Sequence, residues 1–141
     1  MTMSEMGTII EYTDDISDAE APKSLAAGDY PAEITETALG ISTNSGKSRV
    51  EVSFRISPED FPADYEDAES FPEGKIVKFY VGAEGDKASR FRMRGFCTAI
   101  GAPMGASLDI NDWISRKAVL TIEPDEYEGV ERERARKVEA I

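Results

Sequence analysis

The sequence predicts an all-β domain with one central helix. Five segments alternate apolar and polar residues with a period of two, residues 86–100 space their apolar groups as a helix does, and glycine, proline and acid clusters separate these runs. At 141 residues the chain is long enough for one well-cored domain and too short for two. The domain is expected over residues 28–141. Residues 1–27 are acidic, contain Pro22 and show no sustained period, so they are expected to form a flexible or loosely docked arm.

The first strand is expected over residues 29–41, with Tyr30, Ala32 and Ile34 facing one way and Glu33, Thr35 and Thr37 the other. Thr43-Asn44-Ser45-Gly46-Lys47 then supplies turn chemistry. In the second strand, residues 49–56, Val50, Val52, Phe54 and Ile56 share a core face, while Arg49, Glu51, Ser53 and Arg55 share the opposite one. Residues 57–74 hold three prolines, three aromatic residues and seven acids, a composition that predicts a long acidic loop. The third strand, residues 75–81, places Val77, Phe79 and Val81 inward and Ile76, Lys78 and Tyr80 outward. The helix over residues 86–100 is expected to bury Phe91, Phe96 or Cys97, and Ile100. A helical turn at residues 109–113 leads to a fourth strand at 117–123, a turn at 124–129 and a fifth strand at 130–138. Three strands, a helix and two strands is the order of the five-stranded Greek-key barrel of the oligonucleotide-binding (OB) fold. In that fold ligands lie on strands two and three, flanked by the first-to-second and fourth-to-fifth loops.

Composition narrows the chemistry. The chain has no histidine and a single cysteine, Cys97, so it lacks the usual general base, the commonest metal ligand and the partner of a catalytic thiol. No calcium-loop spacing and no phosphate-cradling glycine motif occurs, and neither a metal nor a cofactor is expected. A non-enzymatic role is therefore predicted. One cysteine, no basic or apolar signal in residues 1–7 and no long apolar run together predict a soluble cytoplasmic protein without membrane contact. The net charge of −12 argues at first against a polyanionic partner. Six acids lie between Glu5 and Glu20, however, and seven between Glu59 and Glu73, with no base in either stretch. Without these 13 acids, 15 remain against 16 bases, so the acidity belongs to two appendages of a nearly neutral body.

Several segments resemble a family of bacteriophage-type single-stranded DNA-binding proteins. They are Ala27-Gly28-Asp29-Tyr30 opening the first strand, the 43–47 turn leading into Arg49-Val50-Glu51-Val52-Ser53-Phe54, the central helix, and Trp113-Ile114-Ser115-Arg116-Lys117 through Tyr127-Glu128-Gly129. The resemblance covers roughly residue 25 to the end of the sequence. It implies an OB fold that binds single-stranded DNA in replication or recombination, partner proteins from those processes, the host cytoplasm as location, and possible homo-oligomers. The chain departs from the pattern of many such proteins in ending Arg136-Lys137-Val138-Glu139-Ala140-Ile141 rather than in an acidic tail.

Single-strand binding needs cations for the backbone and aromatic rings on which bases stack. The expected site comprises Lys47 and Arg49 from the first hairpin, Arg55 from strand two, Lys78 and Tyr80 from strand three, Tyr127 from the last turn, and Arg132 and Arg134 from strand five. Each has a plainer reading. Tyr80 and Tyr127 would serve equally as surface or rim aromatics, and the arginines of strand five as guards of an exposed edge. Arg90, Arg92 and Arg94 are read as a solvated helix face, Trp113 as a plug over the barrel end, Phe54 and Phe79 as packing residues, and Cys97 as buried and inert. The competing function is an acidic protein-interaction module or DNA mimic whose carboxylates imitate phosphates.

Overall fold

The computed structural model describes residues 7–141. Residues 1–6, which carry most of the expectation about a signal segment, lie outside the described residues. Five strands, β1 (Gly28–Ile41), β2 (Ser48–Ile56), β3 (Lys75–Gly82), β4 (Lys117–Tyr127) and β5 (Val130–Glu139), form one antiparallel sheet in the order β3-β2-β1-β4-β5. One helix, α1 (Lys87–Ile100), joins β3 to β4 and packs against β3, β4 and β5. The described residues are thus mostly β with a single α-helix. β3 and β5 are the two edges of the sheet; they approach one another but share no ladder of backbone hydrogen bonds.

β1 reaches both neighbours because it changes phase. Its first half pairs with β4 and its second with β2, and Thr35 is an extra residue between the Ile34↔Phe54 and Glu36↔Ser53 pairs. A bulge of this kind bends the strand and reverses the alternation beyond it. Tyr30, Ala32 and Ile34 are buried before the bulge, as expected, but after it Thr37 turns to the inner side and donates its hydroxyl to the Ile110 carbonyl at 3.1 Å. The outward placement of Thr37 is corrected accordingly.

Two further expectations change. Phe91 is 70 % exposed. The inward face of α1 is Ser89, Met93, Phe96, Cys97 and Ile100, with steps of three and four, and Phe91 stands two residues from Met93 on the far side. β4 does not stop at Glu123. It continues through Pro124 to Tyr127, and the turn contracts to Glu128 and Gly129, both at positive φ as a two-residue hairpin requires. Pro124 is tolerated because β1 pairing ends at Ile122, so no ladder bond to β1 is lost at that position.

The core joins Val50, Val52, Phe54 and Ile56 of β2 to Val77 and Val81 of β3 and to Ala118, Leu120 and Ile122 of β4. Phe96 of α1 stacks on Phe79 at 5.8 Å and meets Phe54 and Trp113 edgewise or tilted. Trp113 is buried, as the plug reading expects. Asp86 caps α1 by accepting the Ser89 amide at 3.1 Å, and Gly101 ends it in the left-handed conformation.

The two sheet edges are fastened by charge. Lys75 at the start of β3 forms an ion pair with Glu133 of β5, and both side chains are only 10 % exposed. The same carboxylate oxygen of Glu133 accepts the Leu25 amide at 3.0 Å, and the Lys75 ammonium donates to the Tyr65 hydroxyl at 3.2 Å and lies 4.3 Å from the Phe71 ring centroid. Tyr65 in turn donates to the Lys23 carbonyl, and Ser24 donates to Glu131. Residues 57–74, expected as a simple loop, are therefore folded over the seam, with turns at Pro58–Asp60 and Ala68–Ser70 and with Phe61 and Tyr65 packed edge to face. Leu25 is fully buried rather than part of a loose arm. Gly74 permits the close return to β2: at φ +95°, a Cβ there would collide with the Ile56 carbonyl oxygen.

A buried ion pair stripped of one partner leaves an uncompensated charge, whereas replacing both partners by apolar groups does not. Lys75→Met should therefore destabilise the protein by about 3–5 kcal/mol in urea titrations, and the Lys75→Met/Glu133→Leu double variant should recover most of that loss. Additive losses in the double variant would contradict the coupling.

Candidate functional site

The period-two alternation of β2 and β3 decides which side chains leave the core, and their register decides which of them meet. On the outward side Glu51 lies opposite Tyr80, Ser53 opposite Lys78, and Arg55 opposite Ile76, with Arg49 beside them opposite Gly82. β1 continues this surface with Glu36 next to Ser53, Ala38 next to Glu51, and Gly40 next to Arg49. The small side chains of Ala38 and Gly40 leave the end of the face that holds Arg49 and Tyr80 unobstructed, and nothing lies within 4 Å of where a Gly40 Cβ would stand.

Arg49 and Tyr80 form one unit. The guanidinium carbon sits 4.0 Å from the centre of the Tyr80 ring, within cation–π range, while the tyrosine remains 46 % exposed. Lys78 pairs with Glu51 at 2.5 Å, and that hydrogen bond, with the charge of the same carboxylate, holds the Lys78 pKa above the ordinary lysine value. Arg55 is engaged differently, donating Nε to the Glu73 carbonyl at 2.6 Å. Lys47 is exposed in the β1–β2 turn, where its carbonyl accepts the Ser42 amide and its amide donates to Ser45. The face is amphoteric rather than basic, with Arg49, Arg55 and Lys78 interleaved with Glu36 and Glu51.

The remaining expected residues form a second group on the β4–β5 hairpin. Arg132 lies 4.7 Å from the Tyr127 ring centroid, again cation over ring, and Tyr127 is 56 % exposed. Arg134 is cross-strand from Glu123, the carboxylate that accepts from Arg136 at 2.6 Å. Among the described residues no hydrogen bond, ion pair or stacking contact links this hairpin group to the β2–β3 group. The eight expected residues thus fall into two separate cation–aromatic clusters, one centred on Arg49 and Tyr80 and one on Arg132 and Tyr127.

Elsewhere the titratable chemistry is structural. Cys97 is buried, and desolvation pushes its thiol pKa up, which favours the protonated form and weakens it as a nucleophile. Glu84 is held low by the Ser48 hydroxyl and amide, and Asp86 by Ser89 at the helix cap. Among the described residues no group of three or more acids and cysteine is arranged to hold a metal ion, and no helix is long and apolar enough to cross a membrane. The carboxylates of Glu66 and Asp67 in the acidic loop engage Lys23 rather than the β2–β3 face.

Sequence reasoning did not anticipate the Glu51–Lys78 pair. Alternation puts both residues on the outward face, but their meeting depends on a diagonal across the β2–β3 register that no single strand reveals. No protein-family model and no curated protein matches the chain.

The Lys78 ammonium should titrate above the ordinary lysine value when its side-chain Nζ is followed by NMR. Glu51→Gln should return it toward the ordinary lysine range. Because the folded pKa is raised, the small stabilisation from the pair is present below the unfolded lysine pKa and is lost as pH rises through the folded one. An unchanged Lys78 titration in Glu51→Gln would show that the pair does not form in solution.

Proposed function

We propose that this chain is a non-catalytic, largely sequence-independent single-stranded DNA-binding protein of cytoplasmic, phage-type replication or recombination, built on an OB-type Greek-key barrel. The observation that carries the reading is the exposed Tyr80 ring with Arg49 stacked on it and Lys78 one step along the same strand face. Binding to single strands combines base stacking on aromatic rings with cations that track the backbone, and this cluster offers both within one cross-strand neighbourhood. The element order supports the barrel reading, since strands two and three are the ligand face of the OB fold and the single helix falls between strands three and four. Tyr127 and Arg132, at the strand ends beside the β4–β5 turn, would extend the path of a bound strand.

The pairing of Lys78 with Glu51 has a consequence for this reading. A phosphate must compete with the Glu51 carboxylate for the ammonium, so Glu51 restrains affinity. One observation favours the competing function of an acidic protein-interaction surface: the 57–74 loop presents Glu59, Asp60, Asp64, Glu66 and Glu69 exposed on a folded rather than a loose segment.

Fluorescence anisotropy with a labelled poly-dT oligonucleotide across a salt series, with duplex DNA of equal length as control, separates the two. Single-strand binding that weakens with salt is expected. Tyr80→Ala should weaken it by about 1–3 kcal/mol, or roughly 5- to 150-fold. Lys78→Ala should lower the slope of log affinity against log salt by about 0.7, the value of one phosphate contact on a single strand. Glu51→Gln should tighten binding. Absence of binding at low salt would contradict the proposal and leave the acidic loop as the functional surface.

A further inference from the structure

A cavity of about 800 Å³ opens between α1, the loop that follows it and the end of the sheet opposite the Lys75–Glu133 seam. Leu39, Val50, Met93 and Met104 give it an apolar lining, and Arg90 and Arg94 stand at its rim. Leu39 and Met104 are more than half exposed despite their size. One carboxylate lies on the lining, Glu84, and it is taken up by the Ser48 amide and hydroxyl. α1 itself carries Lys87, Arg90, Arg92 and Arg94 and no acid. None of the four forms an ion pair among the described residues, so the solvated-face reading leaves a concentrated positive charge beside an open apolar groove without a partner.

The matching surface lies in the N-terminal arm. Residues 8–20 hold Glu11, Asp14, Asp15, Asp18 and Glu20 with no base, yet also Ile9, Ile10, Tyr12 and Ile16, each more than half exposed. Acidic segments that only solvate are poor in large aliphatic and aromatic groups, whereas a segment with both is suited to an apolar groove with a cationic rim. The arm's root is fixed at the other end of the molecule. The Lys23 amide donates to Asp67 and the Leu25 amide to Glu133, beside Lys75 at the start of β3, while the groove borders Gly82 at its finish. The arm's root and the groove therefore lie at opposite ends of β3, so an arm of one copy in the groove of another makes a head-to-tail contact.

We propose that residues 8–20 of one copy dock into the α1 groove of a second copy. The isoleucines and Tyr12 enter the cavity, and the arm's carboxylates pair with Arg90 and Arg94. This contact uses neither Tyr80 nor Lys78 and stands apart from the DNA-binding reading.

The test is sedimentation velocity on the full chain over a concentration series, with an arm variant (Ile9→Ser/Ile10→Ser) and a groove variant (Arg90→Glu/Arg94→Glu). All four positions are exposed, and Leu39→Asp supplies a second groove variant should charge reversal disturb the helix. The wild-type chain should associate with rising concentration and dissociate with added salt, and each variant alone should stay monomeric. An equimolar mixture of arm and groove variants should form a one-to-one dimer, because one intact arm then meets one intact groove. A wild-type chain that stays monomeric, or variants that associate like wild type, would overturn the proposal. So would a monomeric mixture beside an associating wild type, which would mean that the arm is not what fills the groove of the second copy. Reduced poly-dT affinity in Arg90→Glu/Arg94→Glu with association unaltered would assign the α1 cations to nucleic acid and equally overturn it.

Discussion

Lys75 and Glu133 stand on the two unpaired edges of a five-stranded sheet, nearly out of water, and each can be there only because the other is. The cost of desolvating two ions is met in such a setting only where further hydrogen bonds satisfy what the pair leaves over. Those bonds recruit the rest of the local structure. The Glu133 carboxylate draws in the Leu25 amide, and the Lys75 ammonium draws in the Tyr65 hydroxyl and the Phe71 ring. A stretch whose composition argues for a solvated loop is thereby folded, and the end of the arm is stitched to the domain by the same charges.

That seam also bears on the candidate site. The loop it holds passes back along β2, where the Glu73 carbonyl takes the Arg55 guanidinium and Gly74 brings the chain against Ile56 before β3 begins. β3 enters beside β2 in a register that sets Tyr80 across from Glu51 and next to Arg49. Ionic closure at one end of the face and small side chains at the other leave Arg49, Lys78 and Tyr80 where base and phosphate could meet them together. The acids interleaved with these cations leave the face amphoteric, so on the proposed reading stacking on Tyr80 contributes alongside charge.

Much of this was legible in the chain. The alternation Val50, Val52, Phe54, Ile56 against Arg49, Glu51, Ser53, Arg55 fixes both faces of β2 because a two-residue period admits one solution, and β3 follows likewise. What escaped were features that interrupt a period or depend on distant pairing. Thr35 reverses the phase of β1 without any local signal. Pro124 reads as a breaker until β1 is known to end its pairing at Ile122. Phe91 suggests a core contact by composition, yet its spacing from Phe96 is five rather than three or four. Lys75 sits on an inward position where its sequence neighbours predict an apolar residue, and its partner is 58 positions away. The site residues were legible as outward cations and aromatics. Their division into two clusters was not, because it follows from strand order in space.

The claim that the outward face of β2 and β3 receives single-stranded DNA is tested most directly by a ¹H–¹⁵N correlation titration of the labelled chain with a short dT oligonucleotide. Shift changes concentrated on Arg49, Glu51, Lys78, Tyr80 and their β1 neighbours Ala38 and Gly40, with the β4–β5 hairpin responding second, are the predicted result. Changes confined to α1 or to the 57–74 loop, or no changes at saturating oligonucleotide, would contradict it.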